Sequence, residues 1–142
     1  MSATTTEQPT HPILGFVRAL DGALDRVAGT NPVFMTADDK RAALVALTRE
    51  QHRLAGLRLR VLAAADLDDI GNADGCTSTG AWLSHHTRAD RAPSAAEVRL
   101  ANTLEQQHPQ TLQVLGTGEI SPNTPRWSPG RWAVSLLTST NT

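Results

Sequence analysis

Apolar residues recur at three- and four-residue steps from Ile13 onward. Ile13, Leu14, Phe16, Val17, Leu20, Leu24 and Val27 share one helix face, and Gly29 followed by Asn31-Pro32 supplies a stop. A longer helical run follows from Ala37 to Ala65, free of proline and filled with Ala, Leu and Arg. Thr36 is placed to cap it, with Asp39 at the capping-box position and Asp38-Asp39 at the positive helix end. Within it Leu47, Leu54 and Val61 repeat every seventh residue, flanked by Leu44, Leu57 and Ala65. A helix of ~30 residues is ~45 Å long, and the spacing predicts that this stripe packs against a partner helix.

Beyond it the pattern breaks and resumes. Asp66 to Gly75 reads as a polar turn, with Gly71, Asn72, Asp74 and Gly75 as breakers. A third helix starts near Thr77-Ser78 and carries Ala81, Trp82 and Leu83. A fourth opens at Pro93-Ser94, with Ser94 as N-cap, Glu97 as its capping-box partner, and Val98, Ala101 and Leu104 as the apolar stripe. Thr111 to Leu115 reads as a short last helix stopped by Gly116 and Gly118. Alternation of period two is nowhere sustained. The fold class expected is therefore all-α: an irregular helical bundle with one long helix and a non-regular C-terminal tail.

Composition narrows the function classes. The 142 residues carry 13 basic and 14 acidic side chains, a net −1, which argues against whole-chain attraction to nucleic acid or anionic lipid. One cysteine, Cys76, excludes an internal disulfide framework. No apolar run approaches the ~18–20 residues of a membrane span, and the Thr-rich start has neither the charge nor the apolar core of a signal peptide. A soluble, cytoplasmic protein is expected, with residues 1–12 as a disordered leader. The charge is unevenly placed: every acidic residue lies at or before Glu119, and the last 23 residues hold none.

The order of several short motifs resembles a known family. Asp74-Gly75-Cys76-Thr77-Ser78-Thr79-Gly80-Ala81-Trp82-Leu83 is followed by Thr87-Arg88, Ser94 to Glu97 and Val98-Arg99-Leu100-Ala101. It closes with Leu115, Gly118, Glu119, Ile120, Ser121 and Pro122. This set is similar to the actinobacterial domain of unknown function 222, the 13E12 repeat family, over about residues 13–122. The resemblance implies a helical domain without a settled activity, with Trp82, Leu83, Gly118 and Glu119 as structural landmarks. Longer members of the family carry a C-terminal HNH nuclease domain. No nuclease residue carries over to this sequence, so the resemblance implies a non-catalytic, truncated member from a mobile or duplicated element, with no cofactor.

Residues 123–142 depart from the family, where a helix beginning near His-Ala is usual. Reading one base earlier, with G or C at third codon positions, permits His-Ala-Pro-Val-Val-Ala-Arg-Ala-Leu-Gly-Arg-Leu-Ala-Ala-His from Thr124. The expectation is that this tail is out-of-frame translation of a longer gene, with a natural tail anchored by Trp127 and Trp132 as the alternative.

Four groups invite a chemical reading. Arg49, Arg53 and Arg60 fall roughly on one face of the long helix, where they could contact phosphates; a solvated, ion-paired face is the alternative. No aromatic residue interleaves with them, as single-strand stacking would require. His85-His86 with Cys76 falls short of the four paired ligands of structural zinc, so no metal is expected. Asp66, Asp68, Asp69 and Asp74 miss the calcium-loop pattern. Trp82 reads as a packing anchor. The partners expected are DNA through the arginine face, or a second copy through the uncovered Leu47/Leu54/Val61 face, with no membrane.

Overall fold

Thr36 starts the longest helix as its side chain dictates. In the computed structural model, which describes residues 10–118, the Asp39 N–H donates to Thr36 Oγ1 at 3.1 Å and the Thr36 hydroxyl donates to Asp39 Oδ2 at 2.7 Å. The expectations for Glu119, for residues 1–9 of the leader and for the tail after Pro122 lie outside the described residues. Every regular element among those described is helical, and the fold is all-α.

The chain divides into two compact units, residues 1–40 and residues 41–142. In the first, α1 spans Pro12–Ala28. Pro12 suits a helix start because its missing N–H has no intrahelical acceptor there. His11 caps the end, its Nδ1 accepting from the Ile13 N–H at 3.2 Å. Gly29 is the C-cap. Asn31 then caps a 3-10 turn over Pro32–Phe34 through its side-chain oxygen. The apolar face of α1 is exposed at Leu14, Val17, Leu24 and Val27.

Helix α2 runs Ala37–Leu67. The second unit builds its core on the far half of this helix, with α3 (Ile70–Ala73), α4 (Thr79–Thr87), α5 (Arg91–Gln107) and α6 (Pro109–Thr117). That core is Leu59, Leu62, Ala63, Leu83, Val98, Ala101, Leu104, Leu112 and Leu115, with Trp82 and Leu100 packed against it. The predicted α2 stripe is therefore corrected. Leu47 is 61% and Val61 44% exposed, and the buried set Leu59/Leu62/Ala63 lies about 130° away at about 100° per residue. Seven-residue spacing marks a stripe that holds one face only under supercoiling; α2 instead meets several short helices that cross it.

Three boundaries also differ. The expected turn Asp66–Gly75 contains α3, entered through Asp69 in the left-handed region (φ 52°), whose carboxylate accepts both bonds from Asn72 Nδ2. Helix α5 begins at Arg91 with Asp90 as N-cap, so Ser94 is inside the helix, buried, and its hydroxyl donates to the Asp90 carbonyl at 2.8 Å. Pro93 causes no break because the first helical turn needs no N–H. Glu97 turns outward to Arg58 instead of closing a capping box. Helix α6 extends through Gly116 and ends only at Gly118.

Ser78 caps α4 as the sequence suggests, accepting from the Ala81 N–H at 3.1 Å. Ser78→Ala is expected to lower stability by ~1 kcal/mol, measurable by urea denaturation; Ser78→Asp should retain most of it.

Candidate functional site

The arginine-rich stretch of α2 lies against the C-terminal end of α6. Gly56 permits the approach: a Cβ there would sit 3.2 Å from both the carbonyl carbon and the Cβ of Leu115. Leu112 and Leu115 bury α6 in the core. Its last carbonyls, which have no intrahelical donor, then face α2. Arg49 Nε donates to the Thr117 carbonyl at 3.1 Å and Arg53 Nε to the Gly116 carbonyl at 3.2 Å. His52 Nδ1 lies 3.4 Å from the Gly118 carbonyl. Cationic donors at this end also oppose the negative pole of the helix dipole.

The neighbouring arginines are engaged in a different way. Arg53 Nη1 also donates to both oxygens of Glu50, at 3.1 and 2.9 Å. Arg58 makes a forked pair with Glu97 of α5, Nε to Oε1 at 2.6 Å and Nη2 to Oε2 at 3.2 Å. The Glu97 hydrogen bonds hold Arg58 above the usual guanidinium value, against an opposing contribution from burial. Arg60 is exposed and has no polar partner among the described residues. Of the three predicted phosphate contacts, Arg49 and Arg53 thus bond carbonyls of α6, and Arg60 alone faces solvent.

The Trp82 region is equally knit together. The indole Nε1 donates to Asp74 Oδ2 at 2.6 Å, and the ring stacks on His86 with centroids 4.4 Å apart. His86 Nδ1 lies 2.9 Å from the Trp82 carbonyl, and His85 meets His86 edge to face. Leu83 is buried in the core. Asp66 accepts from Asn102 Nδ2 of α5 at 2.7 Å. Cys76 is half-buried. Among the described residues no three His, Cys, Asp or Glu side chains gather as metal ligands. One side-chain atom among those described is buried without a partner, the Thr79 hydroxyl. No described helix is long and apolar enough to cross a membrane.

Sequence reasoning missed the glycines at helix crossings. Gly80 lies against Ala95, where a Cβ would come to 3.0 Å from the Ala95 Cα, and Gly56 lies against Leu115. A signal existed: a glycine inside an Ala- and Leu-rich helix weakens it by ~1 kcal/mol relative to alanine, which a close approach can offset.

No family model, curated protein or solved structure matches the chain.

Proposed function

We propose that the chain is a non-catalytic helical interaction module of the 13E12 repeat type, acting as a protein-binding scaffold. The observation that carries this is the apolar exposure of α2: Leu47 and Val61 stand open while the arginines beside them bond carbonyls and carboxylates of the same chain. Soluble proteins seldom leave a contiguous apolar surface on a helix without a partner for it. The landmark residues support a structural reading of the resemblance. Asp74 holds the Trp82 indole, Ser78 caps α4, Leu83 fills the core and Gly118 ends α6. The DNA-binding alternative draws less support, since Arg49 and Arg53 are held at the α6 end.

The test is Leu47→Asp. A site kept for a partner tolerates a charge when empty, so stability should change by less than ~0.5 kcal/mol, read from the urea midpoint at constant slope. A loss above ~2 kcal/mol would mean that Leu47 is covered within the chain, and the scaffold reading would fail. Incubation of the purified chain with duplex DNA and Mg²⁺, Mn²⁺ or Zn²⁺ should give no cleavage; cleavage that co-purifies with the chain would overturn the non-catalytic part.

A further inference from the structure

We infer that the outer face of α2 takes an acidic amphipathic helix of a second protein; this rests on the scaffold reading above. The face is the stripe Leu47, Leu54 and Val61, of which Leu47 and Val61 are exposed and Leu54 is half-buried. Seven-residue spacing, which the chain's own packing does not use, is the spacing that a second helix lying along α2 requires.

Charge selects the occupant. From Arg41 to Ala65, α2 carries Arg41, Arg49, Arg53, Arg58 and Arg60 against Glu50 alone, five minus one or +4, in a chain whose sum is −1. Glu97 on α5 offsets one of these. Arg53 and Arg60 each directly precede a stripe residue, so both lie on the same flank, and Arg58 lies between Leu54 and Val61. A second copy's α2 would bring arginines against arginines, and like charges across a helix pair are unfavourable. A helix with a Leu or Val seam and Asp or Glu flanks meets both features, with Arg60 as the available cation and the apolar stripe as the source of most of the contact area.

The probe is a synthetic helical peptide about three heptads long, with Leu at the seam and Glu at the flanks; its control carries Lys at the flanks. By calorimetry or fluorescence anisotropy, the Glu peptide should bind and weaken as salt rises. The Lys peptide should bind at least about tenfold more weakly. Leu47→Asp should reduce binding about tenfold or more, and Val61→Asp should do the same in a second, independent position. Arg60→Glu should reduce it about threefold. Circular dichroism melts on each variant establish that the fold is retained. Failure of a folded chain to bind the Glu peptide overturns this inference, while the scaffold reading falls only by its own test on Leu47. Equal binding of the two peptides, dimerisation of the chain that Leu47→Asp abolishes, or duplex-DNA binding lost in Arg60→Glu but kept in Leu47→Asp would each overturn it as well.

Discussion

Gly71→Ala should lower stability by ~3 kcal/mol, the upper end of the cost of overpacking a close contact. A Cβ at Gly71 would fall 2.3 Å from the Ser78 carbonyl carbon, 2.4 Å from its oxygen and 2.6 Å from the Thr79 nitrogen. These are backbone atoms, so no side chain can rotate aside. They also form the start of α4, where Ser78 caps the helix and Thr79 is almost wholly buried. The Cys76 N–H donates to the Gly71 carbonyl at 2.8 Å, which ties the same peptide into the turn. Relief of the clash would therefore displace α4 and, with it, Leu83 and Trp82 from the core. The urea midpoint should fall, and the emission of Trp82 should change with it. Gly75→Ala is the control for backbone conformation alone. Gly75 has φ 77° and nothing within 4 Å of a built Cβ, so its cost should be nearer ~1 kcal/mol. Equal costs at the two positions would refute the close-approach account.

Gly118→Ala should have a comparable effect, ~3 kcal/mol, from two causes acting together. Gly118 ends α6 in the left-handed region with φ 78°, where an L side chain costs ~1–2 kcal/mol. Its Cβ would also lie 2.6 Å from both the Arg49 carbonyl oxygen and Arg49 Cγ, and 3.0 Å from Arg53 Cγ. The arginines that hold the α6 carbonyls thus leave room for glycine only. Gly118→Asn separates the causes: asparagine tolerates the left-handed region but keeps the Cβ, so it should recover only the smaller part of the loss. Gly116→Ala, two residues away in the helix with open space around it, should be neutral or stabilise by ~0.5 kcal/mol. A Gly118→Asn protein as stable as the parent would show that the approach to Arg49 is unimportant.

These two glycines mark where sequence reasoning stops. Both were legible as helix punctuation, and for Gly118 that reading describes its backbone well. For Gly71 it does not: the residue is inside α3, and its constraint comes from Ser78, seven residues on, in the next helix. The arginines follow the same pattern. Their grouping on one face of α2 was visible from spacing. That Arg49 and Arg53 would meet the carbonyls of Gly116 and Thr117 was not, because those partners lie 68 and 63 residues along the chain.

Local chemistry alone determined that this protein is helical, where α2 and α4 begin and where α6 stops. Thr36 with Asp39, Ser78 with Ala81, and Gly118 after Leu115 each act through hydrogen bonds spanning three residues, so the code and its partner sit in one short segment. Only the tertiary structure decided which side of α2 is core. Leu44, Leu47, Leu54, Leu57, Leu59, Val61 and Leu62 place apolar side chains around much of the helix, and such a helix has no single face that periodicity can select. The choice fell to α4, α5 and α6, which cross its second half and bury Leu59, Leu62 and Ala63. The stripe of Leu47 and Val61 was left facing outward, because burial depends on which distant segments can approach, and the glycines at positions 56, 71, 80 and 118 set that approach.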